Sequence, residues 1–122
     1  DFAATFLELA GVPEAMSTQG QSLVPLLEGR TPLTWRKDLY YRYYEVGEHA
    51  VPPHYGVRTE THKLIHFPDT GFTELFDLTQ DPLEVRSVAD DPEHEALRGR
   101  LEGRLRELAE EVGDQLPPEE PN

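Results

Sequence analysis

The sequence predicts an α+β fold: a small four-stranded, mostly antiparallel sheet packed by a C-terminal helix, with a further helix at the N-terminus. Three observations carry that expectation. From Asp38 to Glu45, Leu39, Tyr41 and Tyr43 alternate with Tyr40, Arg42 and Tyr44, a period-two pattern of strand-favouring side chains. Tyr55 to Thr59, Lys63 to Phe67 and Phe72 to Leu78 are short apolar and aromatic runs, separated by Glu60-Thr61-His62 and by Pro68-Asp69-Thr70-Gly71. Leu97, Leu101, Leu105, Leu108 and Val112 then recur at helical spacing.

Taken in order, Phe2, Phe6 and Leu9 share one face of the first helix, with Asp1 as N-cap and Gly11 as its stop. That helix is apolar around more than half its circumference and calls for a large surface to lie against. Val12 to Thr34 reads as an ordered connection, in which Ser22 caps a short apolar turn, Leu23 to Leu27, that ends at Gly29. In the first strand, Tyr41 and Tyr43 are expected on the core side. After a loop from Val46 to Pro53, the three remaining strands form hairpins. The final helix is expected from Asp90 or Asp91, with Pro92 at its first position and Glu93 and Glu95 near the positive end of its dipole. Gly99 and Gly103 lie on one face of it, and each costs about 0.5–1 kcal/mol relative to alanine. Close packing would justify them, and tolerance in a well-anchored helix is the plainer reading. Gly113 closes the helix, and residues 116–122 are expected to be a disordered tail.

At 122 residues and a net charge of -13, the chain builds one modest core on an acidic surface. Such a surface does not suit nucleic acid or an anionic membrane, whose binding relies on basic side chains. The acidity is concentrated after Asp90. Between Trp35 and Phe67 the bases Arg36, Lys37, Arg42, Arg58 and Lys63 slightly outnumber the acids, so any anion-binding surface belongs there. There is no cysteine, which excludes a disulfide framework, a thiolate zinc site and a cysteine nucleophile in these residues. No apolar run is long enough to span a bilayer. The start on Asp1-Phe2-Ala3, without an initiator methionine, reads as a fragment or a processed product.

Four patches carry a family resemblance. Asp1-Phe2-Ala3-Ala4-Thr5-Phe6-Leu7-Glu8-Leu9-Ala10-Gly11-Val12 and Gln19-Gly20-Gln21-Ser22-Leu23-Val24-Pro25-Leu26-Leu27 come first. Tyr55-Gly56-Val57-Arg58-Thr59 with Lys63-Leu64-Ile65 follows, and then Glu74-Leu75-Phe76-Asp77-Leu78-Thr79-Gln80-Asp81-Pro82-Leu83-Glu84. In this order and spacing they resemble the C-terminal subdomain of formylglycine-dependent sulfatases, in the alkaline phosphatase-like superfamily. Three departures stand out. Ala4 replaces the usual proline, His62 stands where an aromatic residue is usual, and Ser87-Val88 stands where Asn-Leu normally follows the last patch. The last change leaves only the weaker hydroxyl of Ser87 as a cap.

The resemblance implies that residues 1–34 are the end of a preceding catalytic domain and a connecting segment, the first helix being left over from that domain. Residues 35–115 would then be the C-terminal α+β subdomain. It also implies a parent sulfuric ester hydrolase whose formylglycine, made from a Cys/Ser-x-Pro-x-Arg motif, and calcium ion lie upstream. This portion would complete the fold and the substrate-pocket rim, and would be inactive alone. Its partners would be the catalytic domain and a sulfated small molecule or glycan, and the isolated piece is expected to self-associate.

Within the chain we expect no catalytic residue and no metal site. His54, Tyr55 and Arg58 are the candidate substrate-binding residues: Pro52-Pro53 holds the loop entering their strand, and a sulfated substrate calls for cationic donors. The plainer alternative is that Arg58 pairs with Asp77 or Glu74 across the sheet while Tyr55 packs in the core. His49, His54, His62 and His66 invite a metal reading, but in an extended segment His62 and His66 lie ~13 Å apart, too far to share an ion. Two other functions are open. One is a free-standing acidic interaction or oligomerisation module, with the first helix and the Leu97 to Val112 stripe as its adhesive surfaces. The other, implied by the shared superfamily architecture, is the C-terminal part of a related phosphodiesterase or phosphonate hydrolase.

Overall fold

The structure, a computed structural model, describes residues 1–12, 18–45 and 50–117. His49, much of the expected loop after Val46 and the end of the tail lie outside the described residues. The chain divides into two compact units, Asp1–Arg36 and Lys37–Asn122. Among the described residues, no helix is long and apolar enough to cross a membrane.

In the first unit, α1 (Phe2–Leu9) is followed by the single turn α2 (Val24–Leu27). Asp1 precedes α1, but its side chain makes no cap hydrogen bond. Its carboxylate instead accepts the Gln21 N–H at 3.0 Å and pairs with Arg36, so the expected cap ties the connecting segment to the helix start. Thr5, the buried polar residue of this unit, does the same one turn later. Its hydroxyl donates to the Asp1 carbonyl at 2.8 Å and accepts the Leu23 N–H at 2.9 Å. Gly20 is required here because a Cβ would come 2.4 Å from the Asp1 nitrogen. Ser22 accepts the Val24 N–H at 3.2 Å, but the expected cap stands one residue ahead of the cap position, which Leu23 occupies without a side-chain bond. The apolar face of α1 remains open, with Phe2, Phe6 and Leu9 71%, 65% and 64% exposed.

The second unit is a meander. Strands β1 (Asp38–Tyr43), β2 (His54–Thr59), β3 (His62–Phe67) and β4 (Phe72–Asp77) pair in sequence order, each antiparallel to the next. The helix α3 (Glu95–Glu111) follows a 3-10 turn, Pro92–His94, so the first turn is tighter than the sequence suggests. Tyr55, Val57, Leu64, Leu75, Ala89, Leu101, Leu105 and Leu108 make one core between sheet and helix, with Leu97 and Leu116 packed against it. Leu116 was expected in the tail. At the helix end, Gly113 takes a φ of 74° and the Asp114 N–H reaches back to the Ala109 carbonyl at 2.8 Å, a left-handed cap.

The first strand differs from expectation. Tyr40, not Tyr41 or Tyr43, packs against the core under α3. Both sides of this strand are aromatic, so period two alone cannot choose between them. Ion pairs choose instead. Asp38 binds the Arg104 guanidinium of α3 through two oxygens at 2.7 and 3.1 Å, and Arg42 binds Asp114 at 2.6 Å. Tyr40 donates its hydroxyl to the same Asp114.

At the other edge, Val88 N–H donates to the Leu75 carbonyl at 2.8 Å while the Ser87 hydroxyl accepts the Leu75 N–H at 3.1 Å and the Ala89 N–H at 3.3 Å. The hydroxyl thus caps a backbone corner despite its shorter reach than an amide.

Candidate functional site

Alternation along β2 separates the three candidate residues. Tyr55 lies on the face under α3, whereas His54 and Arg58 lie on the opposite face. Tyr55 is buried, 5% exposed, with the His66 ring 5.2 Å away and the Arg42 guanidinium 5.9 Å from its ring centre. It packs in the core, as the plainer reading has it. The structure therefore brings His54 and Arg58 to one surface, ~13 Å apart along the strand, and Tyr55 beneath it.

His54 is held by four neighbours. Its ring stacks on Tyr43 at 5.4 Å, lies tilted to Phe67 at 5.4 Å and meets the edge of Tyr41 at 5.8 Å. These contacts follow from register, since Tyr43 is directly opposite His54 across β1 and β2. Phe67 in turn packs on Phe72, directly opposite it in β4, at 5.9 Å. One ring from each strand thus forms a continuous ladder across the sheet: Tyr43, His54, Phe67, Phe72. The fourth contact on the histidine is polar. Its Nδ1 lies 2.9 Å from the Pro52 carbonyl oxygen, two residues back along the chain.

Arg58 lies at the far end of the same face, directly opposite Lys63 of β3. The two cations share one carboxylate, Glu84, at 3.5 Å from Arg58 and 2.5 Å from Lys63. Glu84, rather than Asp77 or Glu74, is the partner because of the turn that holds it. Its backbone sits in the left-handed region at φ 54°, its N–H bonds the Asp81 carbonyl at 3.1 Å, and the Asp81 carboxylate accepts the Val85 and Arg86 N–H groups at 2.7 and 2.8 Å. One turn earlier, Asp77 accepts the hydroxyl and N–H of Thr79 at 2.6 and 2.9 Å, bonds that hold its carboxyl below the usual range. The segment from Asp77 to Glu84 is thus a turn tied by its own carboxylates to the backbone and to the Thr79 hydroxyl. Burial, with Glu84 and Glu74 nearby, pushes the Tyr41 phenol up to about 12, so this hydroxyl stays protonated on the same face.

Chemically, the surface offers a fixed imidazole, an accessible guanidinium and aromatic flanks. It can bind and orient an anionic, hydroxyl-rich molecule. It holds no nucleophile paired with a base. His62 and His66 lie on the opposite face from His54, and among the described residues no group of three metal-ligating side chains occurs. Ser17, Ser22 and Ser87 do not open a Cys/Ser-x-Pro-x-Arg motif, and cysteine is absent, so the residues of this chain do not fit a formylglycine centre. Sequence reasoning missed Glu84 as the link between Arg58 and Lys63, and Tyr43 and Phe67 as the supports of His54. The available signal for the former was Asp81-Pro82-Leu83-Glu84, whose aspartate and proline mark a turn that ends on the glutamate.

Comparison with known proteins gives consistent results. The family model described as N-sulphoglucosamine sulphohydrolase, C-terminal, matches residues 1–111. An N-acetylglucosamine-6-O-sulfatase of Bacteroides thetaiotaomicron is 43% identical over 98% of this chain and 22% of its own length. A solved structure in complex with its substrate, D-glucosamine-2-N,6-O-disulfate, is 42% identical and superposes with a TM-score of 0.84 over 93% of this chain and 24% of that one. The phosphonate monoester hydrolase of Agrobacterium radiobacter is 27% identical, with a TM-score of 0.67 over 88% of this chain and 24% of that one. The chain thus spans about a quarter or less of the length of these relatives.

Proposed function

Since the chain belongs to the N-sulphoglucosamine sulphohydrolase C-terminal family and is a sulfatase C-terminal subdomain, we propose that it completes an enzyme that removes sulfate from a sulfated amino sugar. The observation that carries this reading is the 43% identity with an N-acetylglucosamine-6-O-sulfatase over nearly the whole chain. Residues 1–34 end the catalytic domain and 35–115 form the closing subdomain. The formylglycine and calcium belong to the preceding portion of the parent, and they supply the sulfate-cleaving chemistry there.

The part of this chain is binding and orientation. Arg58 lends a guanidinium to the anionic side of the substrate, and its ion pair with Glu84 ties it to the turn after β4. His54 contributes a hydrogen-bonding nitrogen. Tyr55 supports both from below by fixing β2 against the core.

The likeness to a phosphonate monoester hydrolase keeps phosphoryl chemistry as the second reading, with lower identity and a poorer superposition than the sulfatase relative. The test is to assay the full parent chain on D-glucosamine-2-N,6-O-disulfate and on a phosphonate monoester, and the isolated 122-residue chain on an aryl sulfate. The parent is expected to release sulfate and the isolated chain to be inert. Preference of the parent for the phosphonate, or calcium-dependent sulfate release by the isolated chain, would overturn the reading.

A further inference from the structure

We propose that His54 reads an unsulfated hydroxyl of the substrate through its Nε2 atom, because the Pro52 carbonyl fixes its tautomer and the aromatic ladder fixes its plane. The inference rests on the reading of this subdomain as part of a sulfatase that acts on an amino sugar.

A carbonyl oxygen can only accept, so the 2.9 Å contact between Nδ1 and Pro52 requires the proton on Nδ1. In the neutral ring Nε2 then carries a lone pair and is an acceptor. No described residue forms a hydrogen bond with it. Turning the ring over would put Cδ2 in place of Nδ1 and forfeit the bond to the Pro52 carbonyl, while Tyr43 and Phe67, each at 5.4 Å, and the edge of Tyr41 hold its plane. The ladder and the carbonyl therefore present one acceptor, at one place, on the face that also carries Arg58.

An acceptor of this kind sorts sulfated sugars. A free hydroxyl donates to Nε2, whereas a sulfate ester at the same position has only acceptor oxygens and sets lone pair against lone pair. A site built to pair with a hydroxyl rejects the analogue lacking it, because its polar group is then left unmatched. Arg58, a donor only, complements it by taking the anionic group. The two residues at opposite ends of the face thus read opposite features, an unmodified oxygen and a charged one.

The test uses the full parent chain with D-glucosamine-2-N,6-O-disulfate and its 3-deoxy and 4-deoxy analogues. One deoxy analogue is expected to lose about tenfold or more in kcat/KM with the wild type. His54→Phe, which keeps the stacking, should raise KM by a similar factor with kcat within about threefold, and should abolish the deoxy penalty. His54→Gln, whose amide reaches toward the Nε2 position, should retain KM within about threefold. Nitrogen-15 spectra of the wild type should show the Nδ1–H tautomer at a pH where the ring is neutral. The opposite tautomer, or a deoxy penalty that survives in His54→Phe, would overturn the inference while leaving the sulfatase reading intact. A parent that cleaves no sulfate ester would remove the reading and this inference together.

Discussion

Tyr41 lies across Gly56, so that a Cβ built on the glycine would fall 2.8 Å from both Cε1 and the hydroxyl oxygen of the tyrosine, and 2.4 Å from the Leu64 carbonyl oxygen. The tyrosine could swing away, but the carbonyl belongs to the neighbouring strand and is part of the β2–β3 ladder. Gly56→Ala should therefore cost about 1–3 kcal/mol as overpacking. Urea denaturation would measure it, and Tyr41→Ala in the same background should recover little, since the backbone clash remains.

The two glycines of α3 predict the opposite. Beyond the helix's own backbone, nothing lies within 4 Å of where a Cβ would sit on Gly99 or Gly103, so tolerance and not close packing explains them. Gly99→Ala and Gly103→Ala should each stabilise the second unit by about 0.5–1 kcal/mol. Thermal melting of the single and double variants would check this.

Asp114 predicts an acid-sensitive contribution. The hydrogen bond from Arg42, and then that from Tyr40, holds its carboxyl below the ordinary value of 3.8. A carboxyl depressed in the folded state stabilises the fold at pH values above its unfolded value, and that stabilisation is lost as pH falls through the folded value. Asp114→Asn should cost about 1–2 kcal/mol at neutral pH, and the difference from wild type should shrink below about pH 4. Denaturation curves over a pH series would show a constant gap at neutral pH that closes in acid.

The open face of α1 predicts association. Phe2 and Phe6 stack on each other at 6.4 Å and, with Leu9, present an apolar stripe to solvent. At high concentration the 122-residue chain should form oligomers by light scattering, and Phe6→Glu should restore monomers. A monomeric wild type under the same conditions would refute the prediction.

Much of the fold was legible because four strands and a helix carry simple periods, and the strand limits fall within a residue or two of the expected ones. The face of β1 was not, because aromatic residues occupy both sides and the decision rests on Asp38–Arg104 and Arg42–Asp114, pairs separated by 66 and 72 residues. Asp1 misled for a related reason. Its side chain is a plausible cap in sequence, but Gln21 and Arg36 offer it partners that only the folded unit brings near. At the candidate site, the sequence pointed to His54 and Arg58, but what holds them was hidden. The supports come from register and from a turn with a left-handed Glu84, neither of which residue type alone reveals.

The corner at Ser87 and Val88 has a bearing on how the chain behaves when separated from its parent. At Leu75 the outer amide and carbonyl of the last strand are both already engaged, so this flank offers no template on which a foreign strand can grow there. Aggregates of the isolated chain should accordingly be amorphous and detergent-reversible, without the cross-β signature of fibrils.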